Sequence, residues 1–111
     1  MLQGSEAGEQ AAVIQWSLMY DKLKWLHAIP NGAFLAGDKK RRAAQMAKLK
    51  GQGLKVGVLD LFLPVVMPPY HGLYIEMKRP DGKGKLTPEQ KDFRDHCELQ
   101  GYKVLKCDTA G

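Results

Sequence analysis

Hydrophobic and polar positions change period several times along the chain, and each change marks an element. Ser5 stands where an N-cap would open a first helix running to about Lys22. Along it Ala12, Val13, Trp16, Tyr20 and Leu23 recur at helical spacing and are expected to face the core. "LKWLHAI" reads as a short strand, and "PNG" at Pro30–Gly32 as the turn that stops it. In "GDKKRRAAQMAKLKGQG", Asp38 can cap a second helix with a weak apolar face of Ala43, Met46, Ala47 and Leu49, ended by Gly51 or Gly53. "GVLDLFLP" and "GLYIEMK" are apolar runs of strand type. Between them the prolines of "VVMPPYH" impose a loop or a ragged strand end. "LTPEQKDFRDHCELQG" carries the clearest helix signals: Thr87 as N-cap, Pro88 at the first helical position, Gly101 just past the end. "YKVLKC" closes the chain as a last strand.

The predicted order, helix–strand–helix–strand–strand–helix–strand, is that of an α/β domain with a mixed sheet. With no repeat, low-complexity tract or linker, residues 1–111 read as one unit. The last strand–helix–strand unit is expected to be a right-handed crossover between parallel strands. The pair between Gly57 and Lys78 is expected to be antiparallel.

Both central strands carry an acid where a core strand would carry a hydrophobe. Side chains alternate along a strand, so Leu59, Leu61, Leu63, Leu73, Ile75 and Met77 can form one continuous core face. Asp60, Phe62, Tyr74, Glu76 and Lys78 are left on the other. If the strands pair, cross-strand neighbours sit about 5 Å apart. Two carboxylates that close repel unless a cation lies between them or one is protonated. A divalent cation is the economical solution, and oxygen-only ligation favours Mg²⁺ or Mn²⁺ over zinc. The alternative is a solvated sheet face on which these are ordinary surface charges.

Composition narrows the field. A chain of 111 residues, 44% apolar and 26% charged, is ordinary for one globular domain. No apolar run approaches the roughly 20 residues that span a bilayer. "MLQGSEAGEQ" has acids and no basic n-region, unlike a signal peptide. Cys97 and Cys107 are too far apart for a CxxC motif. They read as free thiols in a reducing compartment, Cys97 as a small core residue. His27, His71 and His96 have no zinc or HNH spacing and read as structural or surface residues. Trp16 and Trp25 read as core. A net charge of +5 and a pI near 9.3 favour an anionic partner, nucleic acid first. Lys39, Lys40, Arg41, Arg42, Lys48 and Lys50 form a basic stretch that is either a solvated helix face or a phosphate contact.

Gly57-x-x-Asp60-Leu61, Gly72-x-x-x-Glu76-x-Lys78 and Gln90 on the next helix resemble the PD-(D/E)xK nuclease signature. More narrowly, "GVLDLFLP", "GLYIEMKRPDGKGKLTPEQ" and "GYKVLKC" are similar, in order, to the VRR-NUC domain, the virus-type replication and repair nuclease module. "EQ" at Glu9–Gln10 and "PNG" resemble its N-terminal elements, so the likeness runs from Glu9 to Cys107. Val58-Leu59 departs from the broader superfamily, which has a proline before the acid. A chain consisting of one such domain resembles the stand-alone phage and bacterial members.

The resemblance implies a restriction-endonuclease-like mixed β-sheet flanked by helices. Asp60, Glu76 and the backbone carbonyl of Met77 would hold Mg²⁺ or Mn²⁺. Lys78 would hold the attacking water and offset charge in the transition state. Gln90 is either a site residue beside Lys78 or the second half of a Thr87 capping box. Glu9 is either the family's first-helix acid or a solvated acid at a helix start. Lys39, Lys40, Arg41, Arg42, Lys83 and Lys85 are the candidate DNA contacts. With no base-reading element, the expectation is a structure-specific endonuclease acting on branched DNA such as four-way junctions. It would act as a two-fold dimer in the cytoplasm of a bacterial host, encoded by that host or by a phage. The rivals are a non-catalytic nucleic-acid-binding module, a restriction-type enzyme on the same fold, or an enzyme acting on another phosphoester.

Overall fold

A computed structural model describes residues 6–30, 35–78 and 85–107, with the elements α1 (Glu6–Ser17), β1 (His27–Ala28), α2 (Lys39–Gly51), β2 (Leu61–Leu63), β3 (Leu73–Met77), α3 (Pro88–Leu99) and β4 (Lys103–Cys107). The strands form one mixed sheet in the order β1-β2-β3-β4. β1–β2 and β2–β3 are antiparallel, with Leu61 opposite Ile75 and Leu63 opposite Leu73. β3–β4 is parallel, with Ile75 opposite Leu105. Helix α3 makes the crossover between them. This is the α/β architecture and pairing that the sequence predicts.

Alternation divides the sheet as expected. Leu61, Leu63, Leu73 and Met77 are buried together with Leu26, and Val13 and Ile14 of α1 pack on them with Leu23. The other face is not the solvated surface that was one of the sequence alternatives. Phe62 and Tyr74 meet there with ring centroids 4.6 Å apart, and Phe93 of α3 packs edge-on against Tyr74 at 5.2 Å. Cys97 of α3 is buried, as expected. The sheet therefore lies between α1 and α3.

Helix α1 departs from expectation. It stops at Ser17 instead of about Lys22, because the fully buried Ser17 hydroxyl donates back to the Ile14 carbonyl at 2.7 Å. The backbone tightens there, with Met19 N–H on Trp16 and Tyr20 N–H on Ser17. Its inward stripe is Val13 and Ile14. Ala12, Trp16 and Tyr20 turn outward, Trp16 being 50% exposed. Trp25 is 66% exposed, so neither tryptophan is a core residue. The first strand shortens to two residues, and the Asn31–Gly32 part of the "PNG" turn and Ser5 lie outside the described residues. In "VVMPPYH" the two prolines sit inside a tight turn closed by mutual backbone bonds between Met67 and Tyr70.

Candidate active site

Three backbone elements converge on the acids. Asp60 immediately precedes β2, and its carbonyl accepts the Ile29 N–H at 2.8 Å, which ties it to the end of β1. Its carboxylate Oδ2 accepts the Met77 N–H at 2.9 Å. The Asp60 side chain thus continues the β2–β3 ladder one step beyond the last paired residue. On β3 the Lys78 N–H points to Cys107 of β4. N–H and C=O of a strand residue face the same neighbour, so the Met77 carbonyl lies on the Asp60 side.

The first turn of α3 closes the site from above. Gly57 makes this possible. At φ +95° it lies so close to α3 that a Cβ would sit 2.6 Å from the Glu89 carbonyl oxygen, so the segment leading to Asp60 passes against the helix start. Thr87 caps α3 by accepting the Gln90 N–H at 3.1 Å, and the Gln90 side-chain oxygen accepts the Thr87 N–H at 2.9 Å. That same oxygen accepts Lys78 Nζ at 3.1 Å, while Gln90 Nε2 donates to Glu76 Oε2 at 2.6 Å. Capping-box residue and site residue are one side chain in two roles. Lys78 Nζ also lies 3.2 Å from Glu76 Oε2.

Burial sets the electrostatics. Glu76 is 2% exposed and Lys78 8%. Burial pushes the Glu76 carboxyl up to about 7, and the Asp60 charge pushes the same way, against the Lys78 ammonium and the Gln90 hydrogen bond. Burial also raises the Asp60 carboxyl, opposed first by the Met77 N–H and then by Lys78. The Glu76 oxygen bonded to Gln90 and Lys78 is well served. The other, Oε1, is buried with no hydrogen-bond partner. A buried acceptor without a donor is costly, and a cation beside Asp60 would satisfy it.

No group of three or more His, Cys, Asp or Glu side chains that could hold a metal occurs among the described residues. Two carboxylates and a backbone carbonyl nevertheless suit a small hard ion. Mg²⁺ keeps several waters and takes one or two protein carboxylates together with substrate phosphate oxygens. Asp60, Glu76 and Met77 could therefore hold it.

The structure brings together Asp60, Glu76, Met77, Lys78 and Gln90. Glu9 is half-buried in α1, which packs on β3 from the other face. Lys39, Lys40, Arg41 and Arg42 are exposed at the start of α2, and Lys85 is exposed just ahead of α3. Lys83 lies outside the described residues. The Thr87 N–H bonds the Gln90 oxygen as the capping-box alternative expected and shares it with Lys78, whereas the Ile29 N–H, which anchors Asp60, escaped sequence reasoning. Nothing local signalled that anchor.

No protein-family model matches the chain, and no curated protein does. Among solved structures, one described as "VRR_NUC domain protein" superposes with a TM-score of 0.74 at 29% identity, covering 96% of this chain and 82% of that one. The similarity read from the residues is thus present in the fold over nearly the whole chain, which resembles that VRR-NUC domain. Among the described residues no helix is long and apolar enough to cross a membrane.

Proposed function

We propose that this chain, a domain of the VRR-NUC type, is a metal-dependent endonuclease that hydrolyses phosphodiester bonds in branched DNA such as four-way junctions. The buried Glu76 Oε1, which has no hydrogen-bond partner and lies in a site shared with the Asp60 carboxylate, carries the proposal, because a cation there would serve both acids. Asp60, Glu76 and the Met77 carbonyl would hold Mg²⁺ or Mn²⁺. Such an ion polarises a phosphoryl oxygen and acidifies a bound water. Lys78 has three donors, and two are committed among the described residues, to Gln90 and Glu76. Its third is available for the attacking water or for a phosphoryl oxygen as charge builds there. Gln90 fixes the Lys78 rotamer and one Glu76 oxygen and is itself fixed by the α3 cap. Lys39, Lys40, Arg41, Arg42, Lys83 and Lys85 would contact the DNA backbone.

On this proposal the contacts are made to the DNA backbone, so preference follows DNA shape. A two-fold junction with two equivalent scissile bonds suits a homodimer. On this proposal the protein works beside the DNA, in the cytoplasm of a bacterial cell. The test is incubation with end-labelled four-way, flap and linear DNA of identical arm sequence, with Mg²⁺, Mn²⁺ or EDTA. The expected result is metal-dependent cutting, fastest on the four-way substrate. Binding without cutting in any metal would make the chain a non-catalytic DNA-binding module. Cutting of linear duplex at a fixed short sequence would make it a restriction-type enzyme.

A further inference from the structure

Among the described residues, helix α2 stands apart from the sheet and the other helices. None of its thirteen residues is buried, and among the described residues it makes at most passing contact with any other helix or strand. Its supports are local. Asp38 Oδ1 accepts the Arg41 N–H at 2.8 Å, Gln45 bonds both the N–H and the carbonyl of Ala36, and the Leu54 N–H returns to the Leu49 carbonyl. An isolated helix of this length is marginal in water.

Its charge makes it more so. Six of the thirteen residues are cations and none is an acid. Lys39, Lys40, Arg41 and Arg42 crowd the first turn, where the helix dipole is already positive and a cation is disfavoured. No ion pair relieves them among the described residues. The Asp38 carboxylate at the N-cap offsets one of these four charges, and further anions at that end would relieve both strains. Lys48 and Lys50 occupy the last turn, and residues 43–47 between the two groups are uncharged. At 1.5 Å rise per residue the cations run from Lys39 to Lys50 over about 16 Å, a length that brackets the roughly 12 Å major groove. The two ends can thus reach phosphates on both strands while the uncharged middle crosses the groove.

We infer that α2 is a cationic arm that straddles one groove of duplex DNA by its backbone phosphates, and that this contact, not the protein core, is what stabilises the helix. The inference deepens the proposed function and rests on its DNA-backbone contacts, but not on cleavage. It adds Lys48 and Lys50 to the contacts and couples helix formation to binding.

Far-UV circular dichroism and binding in EDTA, with uncut duplex as the ligand and inorganic phosphate as control, test it separately from nuclease activity. For the wild type, duplex is expected to add helix, up to the thirteen residues of α2, and phosphate little. Ala44→Pro breaks the helix centre. It should leave the thermal midpoint of the free protein unchanged, abolish the helix gain and weaken duplex binding at least tenfold near 0.15 M salt. Lys48→Gln/Lys50→Gln should lower the salt slope by about two units. A full helix signal without DNA together with an Ala44→Pro midpoint that falls would make α2 part of the core and overturn the inference. Unchanged duplex binding by Ala44→Pro would also overturn it, as would helix content that rises with protein concentration and ignores DNA, which would assign α2 to a second copy. Binding with helix gain but no cleavage in Mg²⁺ would leave it standing and remove only the nuclease.

Discussion

Helices α2 and α3 are thirteen and twelve residues long, and each opens on a side chain that accepts the N–H three positions on, Asp38 from Arg41 and Thr87 from Gln90. Their relation to the fold is opposite. In α3 the apolar positions Phe93 and Cys97 reach the sheet at Tyr74, and Gln90 binds Lys78 and Glu76. In α2 the apolar positions Met46 and Leu49 are only half-buried and Ala43 and Ala47 exposed, the helix makes at most passing contact with the described strands, and Gln45 bonds the Ala36 backbone that enters the helix. A cap decides where a helix begins, whereas an apolar face with a partner decides whether the helix belongs to the core. The candidate site is built on the helix that satisfies both conditions, and that helix holds Gln90 against Lys78 and Glu76.

The sharpest break between the two helices is chemical. Lys78→Ala is expected to lower cleavage about 10²–10³-fold or more while DNA binding persists, as for the loss of one donor at a developing charge. A variant of α2 such as Lys48→Gln should change binding and salt dependence instead. Single-turnover cleavage and binding in EDTA separate these outcomes. Near-normal cleavage by Lys78→Ala would remove the site from consideration.

Next comes the backbone. Gly57→Ala places a methyl against the Glu89 carbonyl at positive φ and should cost about 2–4 kcal/mol by urea denaturation. Gly53 has a similar φ of +110° but open space around it. Gly53→Ala should shift the global transition little, because the helix it ends is not part of the core. Equal losses at the two glycines would show that α2 is docked after all.

The Glu76 carboxyl gives the site closed by α3 a pH signature. Its value is about 7 in the folded chain and 4.5 when unperturbed. Between those values the native state binds more protons than the unfolded one, so stability falls as pH rises through that window and levels off above it. Asp60, also raised, acts in the same direction. The fall should be on the order of 1–3 kcal/mol from pH 5 to 8 in EDTA, the lower end allowing for solvent screening. Glu76→Gln should flatten it. Millimolar Mg²⁺ or Mn²⁺ should restore stability above pH 7, by roughly 2.7 kcal/mol at a hundredfold excess over Kd. A profile that rises with pH in EDTA would contradict the buried carboxylate pair.

The smallest contrast lies in the caps. Thr87→Ala should lower global stability by about 1 kcal/mol and loosen Gln90, with a measurable loss of cleavage. Asp38→Ala removes the same kind of hydrogen bond, but should reduce helix content with no shift in the cooperative midpoint.

Much of this was readable in short stretches of residues. Thr87, Pro88 and Gly101 bound α3 because capping chemistry is decided within one turn. Leu61, Leu63, Leu73 and Met77 form the core face because strand alternation is a local period. The same alternation placed Asp60, Glu76 and Lys78 together. Only the tertiary structure decided what covers each face. Nothing in α1 distinguished the stripe Val13–Ile14 from Ala12, Trp16 and Tyr20, since the segment holds more apolar side chains than the sheet can accept, and Ser17 ended the helix before the outer stripe could turn inward. Nothing near Glu76 revealed that α3 would bury it, raise its carboxyl and leave Oε1 without a donor. Nor could "TPEQ" reveal that Gln90 caps its helix and holds Lys78 with the same oxygen. Period and capping act over a few residues of chain, whereas burial and charge coupling depend on groups from β2, β3 and α3 that only folding brings within hydrogen-bond distance.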